Sequence, residues 1–333
     1  MQTSASATAT ASTTASATTE IMGGLGNQLF QIFNLMAYSF RHRVPFYFPL
    51  EQITQGQRKN TYWTTPLLQT LQHFVKSTPS QQPLMYHERN FHYEPIPSPP
   101  QSNIKFFGYF QSYKYFQDQQ ELIYKFIKLR ETQTAMREKT KEKYDYARTV
   151  ALHFRVGDYK NLPNHHPLMS LEYYTEALKQ LLKDTIDKSP NVDLHSFPHN
   201  VLYFCEEADL QYVQEKMLTP LQQNPLFKNK FTFQCIDHNL SDWEQLLVMS
   251  LCSKHIIANS TFSWWGAYLG LGGNPPTTPS PPPQTNASAK GVWACEAGGV
   301  SPHVYYPTTW FGPAMGYKNF CDFFPHHWRQ INI

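Results

Sequence analysis

From residue 149 onward the chain alternates short apolar runs with amphipathic stretches, and no other feature constrains its fold as strongly. Thr149 to Val156 (TVALHFRV), Val201 to Cys205, Phe231 to Ile236 and His255 to Ala258 are rich in β-branched, aromatic and aliphatic residues, which reads as strands. Between and after them, Ser170 to Asp184, Leu210 to Met217, Asp242 to Cys252 and Ser263 to Leu269 carry helical patterns, with Ser170 placed to act as an N-cap. A β-α-β-α-β-α-β-α order predicts an α/β fold on a parallel sheet with right-handed crossovers. Ligands of such sheets sit beyond the carboxyl ends of the strands, so the loops after Arg155, Cys205, Ile236 and Ala258 are where chemistry is expected.

The 333 residues suffice for about two domains, and a 41% hydrophobic fraction supplies real cores. A net charge of +3 is too small a basic footprint for a chain that works by gripping nucleic acid. No apolar run approaches the ~18 residues that a membrane span requires. Five cysteines, with no C-x-x-C pair, read as single buried thiols rather than as a disulfide framework or zinc ribbon. Residues 1–19 are almost wholly Ser, Thr and Ala and read as a solvated tail without the features of a secretory signal. Pro95 to Pro100 and a Pro-rich insertion at 274–289 are extended, irregular segments.

Three short stretches carry chemistry. Gly23-Gly24-Leu25-Gly26-Asn27-Gln28 precedes Leu29, Ile32, Phe33, Met36 and Phe40, which recur at helical spacing. A glycine turn that opens a helix either cradles a phosphate or is a plain tight turn. His153-Phe154-Arg155-Val156-Gly157-Asp158-Tyr159 puts His153 and Arg155 on one strand face, with Asp158 just beyond the strand end. Arg155 there is either a diphosphate ligand or one half of a structural Arg–Asp pair. Asn259-Ser260-Thr261-Phe262-Ser263-Trp264-Trp265 joins a strand to a helix, where its hydroxyls either hold phosphate or cap the helix. No two Asp are separated by one residue, and no His or Cys set has ligand spacing, so no metal site is expected.

In that order and combination, GGLGNQLFQ (Gly23–Gln31), HFRVGDY (His153–Tyr159) and ANSTFSWWGAYL (Ala258–Leu269) resemble the α-1,2-fucosyltransferase family, glycosyltransferase family 11. SLEYY (Ser170–Tyr174), MSLCSKHIIA (Met249–Ala258) and YYPTTWFG (Tyr305–Gly312) extend the resemblance over most of the chain. It implies a GT-B-like architecture of two Rossmann-like halves, an acceptor-side half at 20–148 and a donor half at 149–333, with the active site in the cleft between them. It also implies metal-independent, inverting transfer of fucose from GDP-β-L-fucose to a galactose-containing oligosaccharide or glycoconjugate, with no cofactor.

By that carry-over Arg155 binds the diphosphate and His153 helps hold the nucleotide. Gly24, Gly26 and Asn27 approach the diphosphate from the other half. Ser260, Thr261 and Ser263 hold phosphate or ribose, and Asp158 is the candidate base. Two positions depart from the family pattern. Val156 replaces the second Arg of H-x-R-R, and Gln245, beside Glu244, stands where an acid reading the guanine is usual. Transfer to another acceptor or linkage, and a non-catalytic glycan- or nucleotide-binding relative, are the alternative functions. Golgi members of the family carry a membrane anchor; none is visible here, so the expectation is a cytoplasmic enzyme.

Overall fold

The computed structural model describes residues 15–50, 61–78, 82–98, 102–188, 199–270 and 304–333. The chain divides into two compact units, Met1–Leu129 with Asn319–Phe323, and Arg130–Lys318 with Phe324–Ile333. Each unit is built on parallel strands, so the α/β class holds, with the paired α/β halves that a GT-B-like chain requires.

In the first unit, β1 (Ala17–Thr19) leads through the glycine turn into α1 (Leu25–His42). Next come β2 (Phe48–Pro49), β3 (Val75–Lys76), β4 (Leu84–His87), β5 (Ile104–Phe107) and α2 (Gln120–Phe126). One sheet has the order β1-β5-β4 and a second pairs β2 with β3, all parallel. A parallel bridge between Ala17 and Phe46 joins the two, which makes β1 the central strand. Leu29, Ile32, Phe33 and Met36 are all fully buried on α1, as their spacing predicts. Arg43, in the left-handed region at φ 55°, ends the helix by donating its N–H to Ser39 O.

Residues 319–323 complete this unit. The Asp322 carboxylate accepts from Tyr93 N at 3.1 and 3.0 Å, its carbonyl accepts from Ser112 Oγ at 2.7 Å, and the Phe323 ring lies 6.1 Å from Phe30.

The second unit opens with α3 (Leu129–Thr140), most of which belongs to it, and carries the alternation read from the sequence. β6 (Thr149–His153), α4 (Leu171–Lys188), β7 (His199–Phe204), α5 (Leu210–Val213, running on through Gln214–Leu218 and Thr219–Gln223) and β8 (Phe231–Cys235) follow in turn. Then come α6 (Asp242–Leu251), β9 (Lys254–Ile256), α7 (Thr261–Tyr268), β10 (Val304–Pro307) and β11 (Arg329–Ile331).

The six strands are all parallel, in the order β11-β10-β9-β6-β7-β8. Val150, Ala151 and Leu152 are buried, as befits a strand covered on both faces. The chain runs outward from β6 to β8, then returns to place β9 against the other edge of β6. The order is that of a doubly wound dinucleotide fold, and its switch point lies between β6 and β9.

Two expectations need correction. Ala17–Thr19 is no tail: all three residues are buried, because Thr18 donates its hydroxyl to Tyr47 O at 2.8 Å and so enters the sheet without an unpaired polar atom. Residues 1–14 of the expected tail, the insertion at 274–289, and Pro99 and Pro100 lie outside the described residues. The units divide at 129/130, earlier than the expected 148/149. The cause is α3, whose buried Gln133 donates to Ser250 Oγ and Leu269 O in the second unit at 2.9 and 3.1 Å. Among the described residues no helix is long and apolar enough to cross a membrane.

Candidate functional site

The two motifs of the second unit meet at the switch point, and the sequence places them there through α4. Ser170 accepts from Tyr173 N at 3.2 Å, the N-cap expected of it, and this starts the helix that carries both tyrosines. Tyr174 donates its hydroxyl to His153 O at 2.9 Å, and Tyr173 donates to Ile257 O at 2.6 Å. The ends of β6 and β9 are therefore bolted to one helical turn. Beyond them the Tyr159 hydroxyl donates to Asn259 O at 3.2 Å, and the His153 ring lies 5.7 Å from Phe262. His153, Arg155, Asp158, Ser260 and Thr261 are thus brought to one end of the sheet.

Arg155 is the centre of charge. Its guanidinium donates to both Asp158 and Glu206 and lies 4.9 Å over the Tyr159 ring. Burial alone would lower its pKa, but Asp158, Tyr159 and Glu206 outweigh that and raise it. Gly157 follows at φ +31°, and a Cβ there would stand 2.8 Å from Glu206 Oε1. The glycine thus admits both the backbone turn and the carboxylate. Buried Asp209 accepts from Gly157 N at 2.6 Å and pairs with Lys160 at 2.7 Å, fixing the rest of the loop. The cluster holds two cations, Arg155 and Lys160, against the carboxylates of Asp158, Glu206 and Asp209.

Around this cluster lie polar atoms without partners. His153 is buried; desolvation, then Arg155, push its pKa down to about 3, so it stays neutral. Among the described residues its Nδ1 has no hydrogen-bond partner. Asn259 uses its Nδ2 to hold Pro167 O and Trp310 O, at 2.9 and 3.1 Å, and its buried Oδ1 has no partner among the described residues. Ser260 stands at the N-cap of α7, but its side chain does not cap the helix, so the first N–H groups of α7 keep their hydrogen-bonding capacity. Buried polar atoms are rarely left unpaired, and atoms so placed are where a ligand would supply the missing bonds.

The remaining expected residues behave differently. The Ser263 hydroxyl is fully buried and turned to Ala258 O and Ser260 O at 3.4 and 3.2 Å. Placed so, it holds the strand-to-helix turn. Gln245, on α6, donates to Leu240 O at 2.8 Å, while its neighbour Glu244 closes the capping box with Ser241. Val156 is buried in the core cluster with Leu152, Phe154 and Tyr174, as strand alternation predicts.

Gly24, Gly26 and Asn27 belong to the first unit. Gly24 is the N-cap of α1, Gly26 lies in its first turn, and Asn27 Oδ1 accepts from Gln111 Nε2 at 2.9 Å. Gly23, at φ +78°, has no room for a Cβ, which would meet Asn27 Nδ2 at 2.6 Å.

Sequence reasoning missed Glu206, Asp209, Lys160 and the Tyr159 ring beneath Arg155. The loop after Cys205 was expected to matter, but nothing local ties its acids to Arg155.

The sequence matches the family described as glycosyl transferase family 11 over residues 2–277. It is 29% identical over 175 residues to an α-1,2-colitosyltransferase of Escherichia coli, a match covering 50% of this chain and 51% of that protein. It is 26% identical over 126 residues to the O-antigen biosynthesis glycosyltransferase WbnK of Escherichia coli, covering 37% and 35%. The chain thus spans about half the length of the first of these relatives and about a third of the second. Among solved structures it is similar to a mutant of Arabidopsis thaliana FUT1 in complex with GDP, with a TM-score of 0.42, 11% identity and coverage of 77% of this chain and 68% of that one. It is similar also to the NodZ α-1,6-fucosyltransferase co-crystallized with GDP, with a TM-score of 0.40, 12% identity and coverage of 77% and 93%.

Proposed function

The chain belongs to glycosyl transferase family 11, and from that premise we propose that it transfers L-fucose from GDP-β-L-fucose to a hydroxyl of a glycan acceptor. The acceptor hydroxyl is O2 of a terminal galactoside, the product linkage is α-1,2 with inversion, and no metal takes part in the transfer. The observation that carries this reading is the meeting of HFRVGDY and ANSTFSWW at the switch point between β6 and β9.

Inverting transfer is a single displacement. The acceptor oxygen attacks the anomeric carbon from the face opposite GDP, and the diphosphate leaves with the negative charge. Without a metal, that charge must be met by fixed donors. Arg155 meets it with a planar fork suited to phosphate oxygens. The α7 N-terminus with Ser260 and Thr261 adds N–H and hydroxyl donors. His153, neutral and unpaired at Nδ1, holds the nucleotide.

Asp158 orients Arg155 through its ion pair. A second reading, in which it takes the acceptor proton, would have it contribute about 10²–10⁴-fold to the rate. Asp158→Asn separates the two: loss of kcat at unchanged GDP affinity assigns the base, and loss of GDP affinity assigns the orienting role.

The function itself is tested by a donor screen against lactose and type-1 and type-2 disaccharides, with product linkages read by NMR. Because one relative is named for colitose, the screen pairs GDP-fucose with a colitosyl nucleotide. Fucose on galactose O2 is the expected product. Fucose on another hydroxyl would overturn the linkage, and GDP binding without transfer to any acceptor would overturn the enzyme.

A further inference from the structure

The carboxyl edge of β7 and β8 carries a second cluster, outside the residues assigned to transfer. Cys205 follows β7, Cys235 ends β8, and His238 lies in the loop that β8 feeds. In the β7–β8 register Tyr203 stands opposite Cys235. Tyr203 and Cys205 are two apart, so strand alternation sends both thiols to the same face. The two sulfurs and one ring nitrogen of His238 all lie within 4.8 Å of one another. Cys205 and Cys235 are therefore not the single thiols that their separation in the sequence predicts.

We propose that Cys205, Cys235 and His238 bind a thiophilic divalent cation, zinc, as three protein ligands with a fourth position open to water. Soft thiolates with one imidazole select such an ion, and three converging ligands with one open position are a known zinc arrangement. His238 carries the support such a ligand needs. Its Nε2 is 3.1 Å from Cys205 O, and a carbonyl can only accept, so Nε2 holds the proton and Nδ1 keeps its lone pair. On binding, the thiols give their protons to solvent and no electrons move. Cys205 is followed directly by Glu206, the partner of Arg155, so the ion would pin the root of the loop that faces the transfer site.

The test uses the full chain, reduced and stripped of metal by a chelator, titrated with Co²⁺ alone. Expected are one equivalent bound, a thiolate-to-cobalt charge-transfer band, and displacement of that band by Zn²⁺. The band is lost in Cys205→Ser and Cys235→Ser and weakened in His238→Ala, a loop substitution that spares both strands. It persists in Cys252→Ser, which removes a buried thiol bonded instead to Val248 O. Circular dichroism checks that each variant is folded. A wild-type chain without the band, or a band unchanged in a folded Cys235→Ser variant, overturns the proposal. So does a Cys205–Cys235 disulfide in a chain that takes up no cobalt once reduced.

Discussion

Glu206, at the start of the loop after β7, closes on the guanidinium of Arg155, 51 residues earlier in the chain. With Asp158 on the other amino group, the cation is presented as a preset fork, its Cζ 4.9 Å from the centre of the Tyr159 ring. That arrangement makes Arg155 rigid and also gives it competitors, and both consequences can be measured.

If the fork receives the leaving diphosphate, Arg155→Ala should slow transfer by about 10²–10³-fold, the usual cost of losing a preorganised charge stabiliser. The fold should survive, since a quarter of the side chain is already in solvent, with a relative accessibility of 25%. Arg155→Lys should recover little, because an ammonium cannot offer two parallel donors. Steady-state rates and a thermal melt decide it; turnover within about threefold of wild type in Arg155→Ala would remove the residue from catalysis.

Glu206 competes with any anion for Arg155. Neutralising it should therefore tighten GDP binding. One unit charge at about 4 Å in water-like surroundings is worth ~1 kcal/mol, so Glu206→Gln should lower the GDP Kd by about fivefold at low salt. The gain should shrink as salt is raised. Calorimetry reads this directly. Weaker binding in Glu206→Gln would mean that the carboxylate serves mainly to aim the fork.

His153 makes stability depend on pH in a defined direction. Its pKa falls from 6.5 in the open chain to about 3 when buried beside Arg155. Between those values the unfolded chain takes a proton that the folded chain refuses. The histidine's contribution is intact above about 6.5 and is lost as pH falls toward about 3. The slope is about 1.4 kcal/mol per pH unit for one such proton. Urea denaturation across this window should show the loss in the wild type and a shallower one in His153→Gln. Parallel slopes would place the acid sensitivity elsewhere.

The packing of α6 on α7 leaves Gly266 no room for a side chain: an added Cβ would stand 2.3 Å from Met249 Sδ and 2.7 Å from its Cγ. Gly266→Ala should cost about 1–3 kcal/mol, the range for overpacking a core. In a Met249→Ala background the same substitution should cost much less, because Sδ and Cγ are gone and only the Cβ, at 3.1 Å, remains. Equal costs in both backgrounds would refute the contact.

What could be read in advance follows from how local each signal was. Val150 to Leu152, buried on both strand faces, could hardly be anything but a central strand, and Ser170 declared the start of α4. Ala17 to Thr19 escaped notice because a Ser/Thr/Ala composition resembles solvated chain. Burial there rests on long-range partners, among them Tyr47 O for the Thr18 hydroxyl and β5 for the backbone. Arg155 was legible as a phosphate-type residue, whereas Glu206 and Asp209 acquire their partners only once β7 lies beside β6. The same adjacency, one strand further out, brings Cys205 to Cys235. Ser263 shows a further non-local term: its hydroxyl, at a helix start, is turned inward onto Ala258 O, a partner that the motif alone does not reveal.

The return of residues 319–323 to the first unit has a consequence for biosynthesis. A nascent chain stalled on the ribosome before residue 319 presents Tyr93 N–H and the Ser112 hydroxyl without their Asp322 acceptors, and Phe30 without the ring of Phe323. β11, which edges the sheet of the second unit, comes later still. Neither unit is therefore completed in the order of translation. Both take their last native contacts from the same stretch of chain beyond residue 318.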